Sequence, residues 1–478
     1  MKRIGLGLVV AALAVAPAWA DDPAKAAEKG PAGFWQGVLK IGPVELRIGL
    51  NVTAKPDGAL TATLDSPDQG AKGIPIDEIT VKDADLKLEL KKLDSRYEGK
   101  LSDDGKQLVG TWKQRGAEFP LTFKRLDSAP VYARPQDPKK PYPYADEEVT
   151  FENKAAGVKF TGTLTLPKGK GPFPAVVMIT GSGAHDRDES LLGHRPFLVI
   201  ADYLTRKGVA VLRYDDRGAG GSTGDKLAVT DEDLAGDVLA AVAFLKGRAE
   251  IDTKKIGLIG HSEGGLIAPI AAAKSDDVAF IVLLAGPGLL GEEILYRQGE
   301  LIGKAAKVDE KAIARQRAMQ EKLFAILKKE KDDKALRASI DALIEEETAK
   351  LTDEEKKEAE KQKGTVEAQA KVMLTPWFRF FLTYDPASTL KRVKCPVLAL
   401  NGERDVQVPA KPDLEAIEKA LKAGGNKDVT VKEMPKLNHL FQTCETGGLA
   451  EYGRIEETFA PTALEEISGW IGKRFGAH

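Results

Sequence analysis

Ile256-Gly257-Leu258-Ile259-Gly260-His261-Ser262-Glu263-Gly264-Gly265-Leu266-Ile267-Ala268-Pro269-Ile270 is the stretch that decides the fold. A short apolar run leads into G-x-S-x-G, and a second apolar run of helical character follows. G-x-S-x-G alone is a weak signal, because chance matches are common. Between a strand and a helix it becomes specific: the serine sits on a sharp turn, and glycines are needed where side chains would strike neighbouring backbone. Ser262 is therefore the candidate nucleophile. The amide of Glu263, at the start of the helix, is a candidate oxyanion donor.

A serine hydroxyl needs a base, and the base needs a carboxylate to orient it. The chain has five histidines. His478 is terminal, and His185 and His194 lie in an early loop. His261 adjoins the serine, with its side chain expected to point away. His439 follows the last strand-like run, Val429–Met434, and is the candidate base. The acid is expected after the preceding strand, Val397–Asn401, in Gly402-Glu403-Arg404-Asp405. Asp405 is the choice and Glu403 the rival. Asp215 and Asp216 precede Ser262 and would need another chain order. The second oxyanion donor is expected in Thr180-Gly181-Ser182-Gly183, where small residues let backbone approach substrate. The Ser182 amide comes first and Gly183 second. Neither this loop nor the glycine-rich 214–222 segment has phosphate-binding spacing.

Outward from the serine, strand-like runs at Ala175–Thr180, Val209–Tyr214, Ile256–Gly260, Ala279–Leu284 and Val397–Asn401 alternate with helical patterns at Phe197–Lys207 and Leu234–Lys246. That alternation predicts an α/β fold with a mostly parallel, doubly wound sheet over 147–478. Residues 290–384 break the rhythm. They are rich in Lys, Glu, Ala and Leu and predict a helical insertion, with a helix-start box at Thr352-Asp353-Glu354-Glu355. Its charge runs, 328–334 and 353–363, read as solvated helix faces. The insertion ends in the densest aromatic stretch, Pro376-Trp377-Phe378-Arg379-Phe380-Phe381. Trp377, Phe378 and Phe381 line an acyl pocket on one reading and pack the insertion's core on the other.

Residues 33–127 alternate apolar and polar positions between turns such as Lys55-Pro56-Asp57-Gly58, which predicts an all-β domain, an antiparallel sandwich or barrel; as a barrel it loosely resembles a lipocalin. A Pro-rich link spans 128–146. Residues 1–20 carry Lys2-Arg3, an apolar run and Ala18-Trp19-Ala20. This is the pattern of a secretory signal peptide, too short for the roughly 18–20 residues of a membrane span. An exported protein, periplasmic or secreted and without a membrane anchor, is expected. The formal net charge of −2 gives no electrostatic reason to expect nucleic acid as a partner. Cys395 and Cys444 fall at opposite ends of the sheet. A five-residue strand spans about 17 Å, more than the roughly 7 Å that disulfide Cα atoms allow, so free thiols are expected.

With these residues in place, the chain from about Val149 onward resembles the α/β-hydrolase superfamily, in its bacterial carboxylesterase and serine-aminopeptidase-like branch. Gly181-Ser182-Gly183 with Asp186-Arg187-Asp188, Arg213–Gly218, Gly260–Gly265, Asn401–Asp405 and Asn438–Gln442 carry the likeness. They are specific for fold and triad, and poorly specific for substrate. The resemblance implies a helical cap at 290–384 and acyl transfer from a small-molecule ester to water through Ser262, Asp405 and His439, without metal or cofactor. A serine aminopeptidase-like activity is the nearest alternative. A ligand-binding protein with a vestigial hydrolase domain is an alternative of another class. The oligomeric state is not legible.

Overall fold

The expected strand at 256–260 is the C-terminal half of a longer one, β14 (Ile251–His261), and the sheet is built around it. In this computed structural model, residues 30–41, 44–69, 71–114, 117–129, 134–353, 356 and 369–476 are described. The leader at 1–20, Glu354-Glu355 of the helix-start box and most of the second charge run lie outside them.

The hydrolase part holds eight strands: β10 (Ala145–Asn153), β11 (Val158–Leu166), β12 (Phe173–Ile179), β13 (Ala210–Tyr214), β14 (Ile251–His261), β15 (Phe280–Leu284), β16 (Val397–Gly402) and β17 (Val429–Met434). Their order in the sheet is β10-β11-β13-β12-β14-β15-β16-β17. From β13 to β17 every neighbouring pair is parallel, while β10–β11 and β11–β13 are antiparallel. The antiparallel pair at 145–166 is not among the strands expected from the sequence; Val149, Phe151, Val158 and Phe160, on alternate positions, face the core.

Both faces of the sheet are covered, which is why the inner strands read as unbroken apolar runs. Val177, Leu258, Ile281 and Ala399 face one core with α2 (Asp231–Lys246) and α3 (Gly264–Lys274). Their neighbours Val176, Ile259, Val282 and Leu398 face a second core with α1 (Pro196–Arg206) and the helix Pro461–Phe475. In a parallel sheet the loops at the strand C-terminal ends share one edge. Thr180, Ser262, Asp405 and His439 all follow such ends.

Between β15 and β16 the chain forms α4 (Gly291–Ala305), α5 (Glu310–Lys329), α6 (Asp333–Ala349) and the helix Pro376–Thr383. Asp309, Asp332 and Thr375 cap three of these helices by accepting the amides of Lys311, Ala335 and Phe378. Leu323, Phe324, Leu336, Ile340, Trp377 and Phe378 give the insertion a core of its own.

The N-terminal part is one antiparallel sheet of nine strands: β1 (Gly33–Ile41), β2 (Val44–Ala54), β3 (Leu60–Ser66), β4 (Ala71–Pro75), β5 (Glu78–Lys82), β6 (Asp85–Leu90), β7 (Ser95–Leu101), β8 (Gln107–Gln114) and β9 (Ala117–Leu126). It runs β4-β3-β2-β1-β9-β8-β7-β6-β5. The two ends come together: the Ile76 amide, between β4 and β5, donates to Ala62 O of β3 at 3.0 Å. Trp35, Leu50, Leu88, Tyr97, Leu108 and Phe123 fill the inside. A single curled sheet replaces the sandwich option, because every strand pairs with its chain neighbour or with the strand that closes β1 onto β9.

The curled sheet docks on the hydrolase. Arg47 is paired with Asp68 at 2.5 Å and donates to Gly453 O at 2.9 Å, and Arg454 donates to Glu45 O. Cys395 and Cys444 are both unpaired.

Candidate active site

The turn after β14 forces Ser262 into a left-handed conformation, φ 54°, which is strained for a non-glycine residue. Its amide donates to Leu284 O at 2.8 Å and its carbonyl accepts from the Gly265 amide at 2.8 Å. The flanking glycines are steric requirements. A Cβ on Gly260 would come within 2.0 Å of Gly264 O, and one on Gly264 within 2.2 Å of Ile179 O. The sequence therefore makes an elbow here because only glycine lets helix α3 start against β12 and β14.

The structure brings His439 and Asp405 together: Nδ1 lies 2.7 Å from Asp405 Oδ2, and both residues are buried. Oδ1 of Asp405 accepts the Gln407 and Val408 amides at 2.7 and 2.9 Å, which fixes the carboxylate plane. Glu403 is turned elsewhere, accepting the Lys436 amide at 2.7 Å. The His439 loop is braced by Asn438, whose Oδ1 accepts the Leu440 and Gln442 amides at 3.0 and 2.9 Å. Gln442 Nε2 in turn reaches His194 Nε2 at 3.0 Å and Glu457 O at 3.1 Å. His194 is a buried structural residue, its other nitrogen on Thr458; burial pushes its pKa down to about 4.

The loop after β12 lies beside the elbow. Ser182 is exposed, and its carbonyl faces His185 Nε2 at 2.8 Å. Its amide makes no hydrogen bond among the described residues. Glu263 stands just before helix α3, where amides lack intrahelical acceptors. The Gly181 amide, by contrast, is occupied by Glu189 Oε1 at 2.6 Å.

Beneath the loop runs an ionic network that sequence reading missed. Lys226 is buried and donates to Gly181 O at 2.7 Å and Asp216 Oδ2 at 3.0 Å. It also stands 3.5 Å from Glu263 Oε2. Asp216 accepts from Thr180 Oγ1 and, at 2.9 Å, from the His185 amide. Asp231, fully buried beside Glu263, has its carboxyl pushed well above the usual range, first by burial and then by the Glu263 charge. The 214–222 segment is thus structural. Arg187 holds Asp215 through two nitrogens, at 3.1 and 2.9 Å, and Arg217 holds Asp237 at 2.6 Å. Such partners are far apart in sequence, and nothing in composition marks them.

The aromatic stretch divides. Trp377 Nε1 donates to Glu263 Oε1, so this helix touches the residue after the nucleophile. Phe381 packs with Leu266, Ile294 and Val408, close to the elbow and the Asp405 turn. Phe378, 1% exposed, belongs to the insertion's own core. Phe324 and Leu382 pack around it. A cavity of about 300 Å³ lies between α4 and α5, lined by Tyr296, Gln316, Arg317 and Gln320 among others, and no residue of the Ser262 site lines it. No cluster of metal-ligating residues occurs among the described residues, and no helix there is long and apolar enough to cross a membrane.

The protein-family model of X-Pro dipeptidyl-peptidase (S15 family) matches residues 156–427, which include Ser262 and Asp405 and stop short of His439. Esterase EstD of Thermotoga maritima is 31% identical over 339 residues, covering 69% of this chain and 69% of that protein. Acyl-coenzyme A thioesterase 1 of Rattus norvegicus is 28% identical over 137 residues, 28% of this chain and 29% of the relative. Among solved structures, an esterase of Pyrococcus furiosus is 19% identical, covering 70% of this chain and 92% of its own, with a TM-score of 0.41. The chain belongs to the X-Pro dipeptidyl-peptidase (S15) family and is a serine hydrolase of the α/β-hydrolase superfamily.

Proposed function

We propose that the protein hydrolyses small carboxylic esters through an acyl-enzyme on Ser262. The carrying observation is the 2.7 Å bond from His439 Nδ1 to Asp405 on loops that flank the strained Ser262 elbow. In this reading Ser262 Oγ attacks the ester carbonyl while His439 Nε2 takes its proton. Asp405 holds the imidazole tautomer and stabilises the imidazolium. The amides of Ser182 and Glu263 hold the oxyanion. His439 then protonates the departing alcohol, and water, activated by the same imidazole, releases the acid. None of these steps calls for a metal or cofactor.

The helices between Gly291 and Thr383 act as a cap, with Trp377 and Phe381 bounding the acyl side. The family model favours a second reading, cleavage of peptides from a free N-terminus. That chemistry wants an acid open to an α-amine. Glu189, paired with His261, Glu263, next to Ser262, and Asp231, beside Glu263, are all buried, which supports the ester reading. The leader-like residues 1–20 support export, and N-terminal sequencing of the protein made in its own host tests it.

The test of the main reading is Ser262→Ala. Turnover of short-chain p-nitrophenyl esters should fall by about 10⁴–10⁶, as for removal of other serine nucleophiles, with the fold intact. A fluorophosphonate should label the wild type at Ser262 alone. Labelling that persists in the variant, or faster cleavage of X-Pro amides than of esters, would overturn the proposal.

A further inference from the structure

His261, set aside on sequence grounds, packs its ring 4.9 Å from that of His439. Its Nε2 lies 3.0 Å from the His439 carbonyl oxygen, and its Nδ1 lies 2.9 Å from Glu189 Oε1. A carbonyl oxygen only accepts, so Nε2 carries a hydrogen. Glu189 Oε1 already accepts the Gly181 amide at 2.6 Å, and a carboxylate meets Nδ1 favourably only across a proton. His261 and Glu189 therefore hold one proton more than a neutral imidazole with a carboxylate: an imidazolium–carboxylate pair, with the extra proton on the Nδ1–Oε1 line.

The pair is kept at a cost. Glu189 is buried, adopts φ 51°, and its Oε2 has no hydrogen-bond partner among the described residues. A buried, strained, half-satisfied carboxylate calls for a functional explanation. Burial opposes charge on both groups, but their mutual attraction wins. The His261 pKa is raised and that of Glu189 lowered. The charges of His185 and Asp405 also reach the pair, and the His439 ring packs against His261.

Three parts of the site converge on it. Gly181 precedes the proposed oxyanion donor Ser182, His261 precedes the nucleophile, and His439 is the base. We propose that Glu189 and His261 are positioning residues, a proton-sharing clamp that holds the oxyanion loop, the elbow and the base loop in one register for acyl transfer. The proposal rests on the triad reading above. A misplacement of about 1 Å costs on the order of 10²-fold in rate, so a charge-assisted clamp on the base loop should act on kcat rather than on KM.

The experiment uses the full chain. In Glu189→Gln the side-chain oxygen still accepts the Gly181 amide, but the proton on Nδ1 loses its anion. kcat for a short ester should fall about 10–100-fold with KM nearly unchanged. His261→Gln places an N–H near the former Nε2 and should keep more activity than His261→Asn, which places its amide near the former Nδ1. Nitrogen-15 NMR of histidine-labelled wild type at pH 7 should show both His261 nitrogens protonated, and Glu189→Gln should lose that signature. A singly protonated His261 in the wild type overturns the clamp even if no variant folds. So does a Glu189→Gln variant with unchanged kcat, or equal activity in the Gln and Asn variants. Ser262→Ala separates the two readings. If it stays active, the triad reading falls. If it is inactive while Glu189→Gln is not impaired, the clamp alone falls.

Discussion

Asp405 and Glu403 lie two residues apart in one turn, and their partners separate them. Asp405 faces His439 Nδ1, whereas Glu403 accepts a backbone amide at the exposed rim. Asp405→Asn should lower kcat by up to about 10⁴-fold by favouring the wrong imidazole tautomer. Glu403→Gln, which keeps an acceptor for Lys436, should stay close to wild type. Side-by-side kcat values decide between them, and the reverse ranking would reassign the acid. Asp413 is a second residue with a measurable signature. It is fully buried, with Oδ1 accepting the Gly288 and Leu289 amides and Oδ2 without a hydrogen-bond partner among the described residues. Burial pushes its pKa up to about 7, although those two amides pull the other way. The unfolded value is about 3.9. A carboxyl with a raised folded pKa gives its full contribution below the unfolded value and loses it as pH climbs through the folded one. Stability from this group therefore falls between about pH 4 and 7, by on the order of 1–4 kcal/mol. Asp413→Asn should remove that fall. Its Tm relative to wild type should be higher at pH 8 than at pH 5, and an equal difference at both would show that Asp413 does not titrate there.

At the scale of the element, the helix Pro376–Thr383 has two faces with different tasks. Phe378 is enclosed by the insertion's core, while Trp377 and Phe381 reach Glu263, Leu266 and Val408. A change from Phe381 to Leu keeps most of the buried volume. It should shift the preferred acyl length by a carbon or two while leaving acetate-ester turnover nearly intact. Phe378→Leu should lower Tm without changing chain-length preference. Rates across a series from acetate to octanoate esters check this. The cap reading fails if both variants keep the wild-type profile. The helix was legible as aromatic and periodic, but not the division of its faces. Adjacent aromatic residues have the same composition, and only the packed neighbours distinguish them.

At the scale of the molecule, the curled N-terminal sheet and the segment after it grip residues 453–459. Arg134 donates to Gly453 O at 3.0 Å and Leu192 O at 3.1 Å. Gln136 accepts the Thr458 and Phe459 amides at 2.6 and 2.9 Å and donates to Phe459 O at 2.7 Å. These bonds come from the Pro-rich link rather than from the sheet. A shortened chain starting at Arg134 should therefore keep its activity on a small ester. One starting at Tyr144 leaves the buried Thr458 and Phe459 amides unpaired, at about 1–3 kcal/mol for each. It should melt several degrees lower, with a poorly braced His439 loop. Tm and kcat of the two shortened chains provide the check. If the chain starting at Arg134 folds but is inactive, the sheet itself helps to form the site.

What the sequence determined by itself was whatever is local or periodic. The strand runs of the hydrolase sheet, the glycine-bound elbow at Ser262 and the helical character of the insertion each depend on residues within about ten positions of one another. Chain order then brought Asp405 and His439 forward as candidates, because the loops at the strand ends of a parallel sheet share one edge. Other features were decided only when the chain closed on itself. Glu189 meets His261 across 72 positions, Lys226 meets Gly181 across 45, and Gln136 meets Thr458 across 322. These are buried or partly buried polar contacts, and any of several polar residues in the same segments reads equally well beforehand. The choice among them is made by desolvation, which forces each buried charge to find the one partner within reach.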